Sequence, residues 1–109
     1  MINTKERNRI QQWLQRFSPD IREQSDLYHI LSDPTRIKTL ILLKREDKEL
    51  CVSDLAMILN ISISAVSHQL GLMERANLVA STKNGKMVCY RLTPRGSNMI
   101  KLVGLNKTK

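Results

Sequence analysis

A chain of 109 residues with 41% hydrophobic residues has the size and apolar content of one small domain around one core. No apolar run approaches the roughly 18 residues that a membrane-spanning helix needs, and the amino-terminal MINTKERNRIQQ is too polar for a secretory signal, so the expected location is the cytoplasm and no membrane partner is expected. The net charge of +8 is unevenly spread: from Arg75 onward there are eight Lys/Arg and no Asp or Glu, whereas the first 74 residues carry ten of each sign, so nucleic acid is the first partner to consider, ahead of membranes and acidic proteins.

Ile10, Trp13, Leu14 and Phe17 recur at the spacing of one helix face. Ser18-Pro19-Asp20 ends that helix and starts another, with Ser18 as cap and Ile21, Tyr28 and Leu31 along it. Asp33-Pro34 repeats the start signal. The segment TRIKTLILLK that follows is apolar at Ile37, Leu40, Ile41, Leu42 and Leu43, the breadth expected of a helix covered on several sides. After a charged loop from Arg45 to Lys48, Glu49 to Val52 reads as a short strand. Ser53 is then placed as the cap of a short helix, with Leu55, Ile58 and Leu59 inward. Asn60-Ile61 makes a turn, Ser62 caps the next helix to about Ala76, and Asn77 sits where a helix commonly ends in a left-handed residue. Leu78–Lys83 and Lys86–Leu92 read as strands joined by Asn84-Gly85, a hairpin signal in which both turn residues take positive φ. Thr93-Pro94 starts a last helix that Gly104 ends, and Lys107 to Lys109 are expected to fray.

The expected fold is mainly α with a small β-hairpin: a short helix, a tight turn, a second helix, then a basic hairpin, the order of a winged helix-turn-helix. In that arrangement the second helix enters the major groove and the hairpin reaches beside it for phosphates. On a helical wheel, Ile63, Val66, Leu70 and Met73 face the core. Ser64, Ala65, His68, Leu72 and Arg75 lie opposite, with Ser67 on the flank. Small and polar residues there let a helix seat deeply, with Ser and His bonding to bases or phosphates and Ala65 meeting a thymine methyl. In the hairpin, Val88, Tyr90 and Leu92 are placed inward and Met87, Cys89 and Arg91 outward, with Lys83 and Lys86 beside the tip as phosphate contacts and Arg75 and Arg91 expected among the DNA-binding residues as well.

From Leu31 to Leu92 the chain resembles the ArsR/SmtB metal-sensor repressors. LSDPTRIKTLILL is similar to that family's opening helix, ELCVSDLA to its metal box ELCVCDLA, SISAVSHQL to its recognition helix, ANLV to its usual AGLV, and NGKMVCYRLT to its wing. The resemblance implies a homodimeric repressor that grips an inverted-repeat operator in double-stranded DNA and releases it on an inducer that no motif here identifies. It implies a single domain over 1–109: helices in 1–31 contributing to dimerisation, the helix-turn-helix in 53–76, the wing in 78–92 and a C-terminal dimerisation helix in 94–103. It maps Ser62, Ser64, Ser67, His68 and Gln69 onto the recognition helix, with Ile63 where a polar residue is common.

The metal box is incomplete: its second Cys is Ser53, and a hydroxyl is a poor ligand for soft metals. The family's other site uses Asp and His on the C-terminal helix, and no acidic residue or His follows Glu74. Neither a metal nor any other cofactor is therefore expected. Cys51 and Cys89 leave two readings. They are unrelated small hydrophobes, or, if their strands pair, a thiol switch or soft-metal half-site on one sheet face, which requires Cα atoms within about 7 Å. No nucleophile with a base at helical spacing, phosphate-binding glycine loop or pair of catalytic carboxylates is found, so an enzyme is not expected. The competing functions are a winged-helix module binding protein or RNA inside a transcription complex, a thiol-responsive repressor using Cys51 and Cys89, and a repressor controlled only by its own abundance.

Overall fold

Helix starts in this chain are set by side chains that accept otherwise unpaired N–H groups. The computed structural model describes residues 1–105; the expected fraying of Lys107 to Lys109 lies outside them. Helix α1 (Thr4–Gln15) is capped by Asn3, whose Oδ1 accepts from the Glu6 amide at 2.8 Å. Helix α2 (Ser18–Leu31) begins at Ser18 itself, with Phe17 at the cap position and no side-chain cap bond, so Ser18 is a first-turn residue rather than the cap. Helix α3 (Pro34–Glu46) starts where Asp33 Oδ1 accepts from the Thr35 amide at 2.9 Å. Strand β1 (Leu50–Cys51) leads without a loop into helix α4 (Val52–Leu59). Cys51 occupies the cap position of α4, so Ser53 falls inside the first turn and does not cap it. Helix α5 (Ile63–Arg75) is capped by Ser62, which accepts from the Ala65 amide at 3.1 Å. Asp47, Asn60 and Asn77 end α3, α4 and α5 in the left-handed region, with φ of 51°, 56° and 61°.

Strands β2 (Val79–Asn84) and β3 (Met87–Leu92) form the hairpin, and the sheet order is β1-β3-β2, all antiparallel. Asn84 pairs with Met87, so the two turn residues are Gly85 and Lys86 rather than Asn84 and Gly85. Only Gly85 has positive φ (65°), the pattern of a type II′ turn with Gly in the first central position. The hairpin is thus one residue longer on the β2 side, and Lys86 stands in the turn itself.

The core is built from α2, α3, α4, α5, the sheet and helix α6 (Pro94–Leu102). Leu40, Leu43, Leu55, Leu70, Met73, Leu78 and Ile100 are fully enclosed. The buried hydroxyl of Thr39 donates to the Thr35 carbonyl at 2.9 Å and leaves no unpaired group in this apolar setting. Three inward assignments fail for one reason: the core does not extend beneath those positions. Ile58 on α4, Ile63 at the first turn of α5 and Val88 near the hairpin tip are all exposed. On α2 the buried residues are Leu27, Ile30 and Leu31, while Ile21 and Tyr28 face outward.

Thr93 joins α6 to the rest of the fold. Its Oγ1 accepts from the Gly96 amide at 3.1 Å and donates to the Asn77 carbonyl at 2.6 Å. Gly96 packs so closely that a Cβ there would collide with the Leu78 carbonyl oxygen. Gly96→Ala is therefore expected to cost about 1–3 kcal/mol through overpacking, despite the higher helix propensity of Ala. A urea midpoint equal to or above that of the parent would contradict this.

The molecule is long for its size, 62 × 30 × 23 Å, with a radius of gyration of 18.4 Å, against about 13 Å for a compact chain of this length. The extension comes from α1, which buries none of its residues. Its apolar side continues through Phe17 into Ile21 of α2 as an exposed stripe.

Candidate nucleic-acid interface

Two short helices meeting at a steep angle through a tight turn place one of them across the surface. The axes of α4 and α5 turn through 112°, within the range of helix-turn-helix units. The break is Asn60-Ile61-Ser62, with Asn60 left-handed and the Ile61 amide donating to the Ala56 carbonyl at 3.1 Å. Val66, Leu70 and Met73 of α5, spaced i, i+4 and i+7, are buried and fix the rotation of the helix. That rotation leaves Ser62, Ser64, Ser67, His68 and Arg75 exposed, and Ala65 half-buried on the flank. Ser62 and Ser64 hydroxyls lie 3.3 Å apart at the amino-terminal end. Gln69 is half-buried with its Oε1 enclosed, so it stands apart from the exposed group.

The hairpin stands beside this helix. Lys83 and Lys86 are exposed near and in the turn. Arg91 is also exposed but lies toward the base of the hairpin, where its Nη1 donates to Thr82 Oγ1 at 3.3 Å across the strand pair. A cavity of about 330 Å³ opens between hairpin and helix, with Ile63, Ser67, Lys86, Val88 and Cys51 among its lining residues. Ile63 therefore belongs to the space between α5 and the hairpin. The wheel angle alone misplaced it, because a wheel does not show where the core ends.

The far end of α5 is anchored by Ser81, whose Oγ donates to Glu74 Oε2 at 2.7 Å. Burial, and secondarily the charge of Glu74, push the Tyr90 phenol above its ordinary value of 10.0, so it stays neutral at physiological pH.

Cys51 and Cys89 face each other in register across β1 and β3, with Cα atoms 3.8 Å apart, and are joined as a disulfide. Cys89 is not an outward, open residue: it is 1% exposed. The alternation is right, but the face opposite the main core is covered at that point. Asn84, a strand residue rather than the expected turn residue, sends Nδ2 toward Glu49 Oε2 at 3.4 Å and toward Cys89 Sγ at 3.6 Å. The signal for it lay in the turn type, since a Gly-Lys turn pushes Asn84 into the strand. Among the described residues no three His, Cys, Asp or Glu side chains converge as a metal site, and no single helix is long and apolar enough to cross a membrane.

Comparison with known proteins agrees with this geometry. A family model described as "Bacterial regulatory protein, arsR family" matches residues 33–81, from the cap of α3 into β2. The chain is 41% identical over 71 residues to the cadmium resistance transcriptional regulatory protein CadC of Listeria innocua, covering 65% of this chain and 59% of that protein. It is 34% identical over 91 residues to a putative arsenical resistance operon repressor of Halobacterium salinarum, covering 84% of this chain and 69% of the other. Among solved structures, it superposes on a homodimeric winged helix-turn-helix DNA-binding domain from Mycobacterium bovis with a TM-score of 0.72 at 20% identity, over 83% of this chain and 82% of that one. The fold is a winged helix-turn-helix, and the chain belongs to the ArsR family of bacterial regulatory proteins.

Proposed function

We propose that this protein is a homodimeric, sequence-specific DNA-binding repressor of transcription acting in the cytoplasm. One observation carries the reading: the amino-terminal half of α5 exposes Ser64, Ser67 and His68, a polar and uncharged group, beside a lysine-tipped hairpin. Ser64 and His68 are assigned to base edges in the major groove, with Ser62 and Ser67 flanking them; the support is that all four are exposed at α5 and its cap. Lys83 and Lys86 supply charge for the phosphate backbone on the wing side. Arg75, at the far end of the helix, adds a cation toward the same surface, and Arg91 steadies the hairpin.

Dimerisation is proposed through the exposed stripe of α1 and α2, together with Leu102 and Val103 at the end of α6. A contiguous exposed apolar surface of this kind marks an interaction site, and the Mycobacterium bovis domain of the same fold is homodimeric. Two symmetric protomers read an inverted repeat. Repression as the outcome is supported by the names of the relatives, a cadmium resistance regulator and an arsenical resistance operon repressor.

The two sets of residues are expected to fail differently. Ser64→Ala and His68→Ala should each lose about 1–3 kcal/mol of discrimination at particular base pairs in a panel of singly substituted duplexes. Lys83→Ala and Lys86→Ala should weaken binding to all the duplexes alike and lower the slope of log affinity against log salt by about 0.9 per lost phosphate contact. Uniform weakening by the α5 variants, or an unchanged salt slope for the lysine variants, would overturn the assignment.

A further inference from the structure

The disulfide pairs two cysteines 38 residues apart, and the loop it closes holds α4, α5, β2, the hairpin turn and the start of β3. Cys51 is both the last residue of β1 and the cap residue of α4. Cys89 lies on the central strand, β3, one end of which leaves the hairpin turn. The bond therefore ties the start of α4 directly to the wing.

We propose that Cys51 and Cys89 are a reversible dithiol–disulfide switch, oxidised by small hydroperoxides through Cys51, that resets the position of the wing against α5. This rests on the DNA-binding reading for its consequence but not for its chemistry. The two thiols are unequal in the way a two-step oxidation needs. Cys51 is half-buried and lines the cavity between helix and hairpin, so a small oxidant reaches it. Cys89 is enclosed, lies in register between Cys51 of β1 and Thr82 of β2, and has the Asn84 amide aimed at its sulfur.

The steps balance. The Cys51 thiolate attacks one oxygen of a hydroperoxide, the O–O bond breaks, and an alcohol leaves (water in the case of hydrogen peroxide), so that Cys51 becomes a sulfenic acid. The Cys89 thiolate attacks that sulfur, the S–O bond breaks, and hydroxide leaves as water with the proton that Cys89 gave up. Two thiols have lost two electrons and one peroxide has gained them. A dithiol reverses the change by thiol–disulfide exchange, starting at the accessible Cys51 sulfur.

The conformational consequence follows from packing. Two unbonded sulfurs cannot come as close as two bonded ones. Reduction must therefore part β1 from β3 at this rung or rotate the side chains into the adjoining cavity. Parting the strands moves Val52 and the first turn of α4 relative to Lys86 and Val88, and a rotated Cys51 side chain fills the cavity that Val52, Lys86 and Val88 line.

The test uses the full chain in two states, reduced with a dithiol and then oxidised with one equivalent of hydrogen peroxide. Thiol alkylation followed by mass measurement should find two modified cysteines in the first state and none in the second. In Cys89→Ser the reaction should stop at a Cys51 sulfenic acid that a 1,3-diketone probe captures. Amide hydrogen exchange of the parent should differ between the states at β1, the first turn of α4 and the hairpin. Duplex affinity should differ by about fivefold or more, the lower range of typical coupling between sites. Thiols that survive peroxide, or exchange that is identical in the two states, would overturn the switch. If exchange changes and neither state binds any duplex, the switch stands and the DNA-binding reading falls. If both states bind one duplex equally, the switch is not a regulator and the proposal is overturned.

Discussion

Trp13→Glu combined with Phe17→Glu is expected to turn the protein into a folded monomer and to lower its affinity for an inverted-repeat duplex by a factor on the order of 10²–10⁴. The two rings meet edge to face, with centroids 5.2 Å apart and planes at 68°; Trp13 lies on α1, which buries none of its own residues, and Phe17 holds the cap position at the start of α2. Trp13 is 55% exposed and Phe17 42%. Two large aromatic side chains in that position are poorly used by one protomer alone, whereas aromatic residues dominate the energetics of packed interfaces. Because neither ring belongs to the core cluster, the body of the domain should keep its thermal transition. The loss on DNA comes from a separate cause. With two protomers joined, the second half-site is bound at a high effective concentration, and a monomer forfeits that gain even with both reading helices intact. Light scattering that still reports a dimer for the double variant would place the interface elsewhere.

The second large effect lies in the core. Leu70→Ala is expected to cost about 2–5 kcal/mol of unfolding free energy, a large part of the roughly 5–15 kcal/mol that holds a small domain together. Leu70 is fully enclosed, one helical turn from both Val66 and Met73, on the side of α5 opposite His68. The deletion leaves a cavity directly under the reading helix. DNA binding should then weaken even where the protein remains folded, because the rotation of α5 is set by that inward row. A chemical denaturation midpoint within error of the parent would show that neighbouring side chains collapse into the gap.

Some of this was legible from the chain alone. Capping at Asp33, Ser62 and Thr93, each followed by its helix, marked three helix starts, because these residues accept amide hydrogen bonds locally and need no tertiary partner. Val66, Leu70 and Met73 were readable as the inner row of α5 for a similar reason: a 3.6-residue period is a local property. What local periodicity does not contain is the extent of the core. Ile63 continues the inner row by angle but lies beyond the last residues that α4 and the sheet can cover, so it is 58% exposed. Val88 fails the same way at the other side of the cavity. The turn was misread by one residue because Asn-Gly fits a type I′ turn, while the pairing of Asn84 with Met87 selects Gly-Lys. Ser53 looked like a cap by residue type, and the direct passage from β1 into α4 gave that place to Cys51.

The cysteine pair shows the reach of strand logic. Alternation along Glu49 to Val52 and along the hairpin put both side chains on one face, and the β1–β3 register then set them opposite each other. The near-complete burial of Cys89 was not legible, because it depends on cover from the Asn84 side chain and from Cys51, residues brought there by the turn and the sheet order.

The most direct test is selection of bound duplexes from a pool with a randomised segment, at moderate salt, using the full chain. Enrichment is expected of a two-fold symmetric sequence, occupied by two protomers, whose half-sites lie about one helical turn or a multiple of it apart, centre to centre. A pool that emerges unenriched, or that yields only asymmetric sites filled by one protomer, would contradict it.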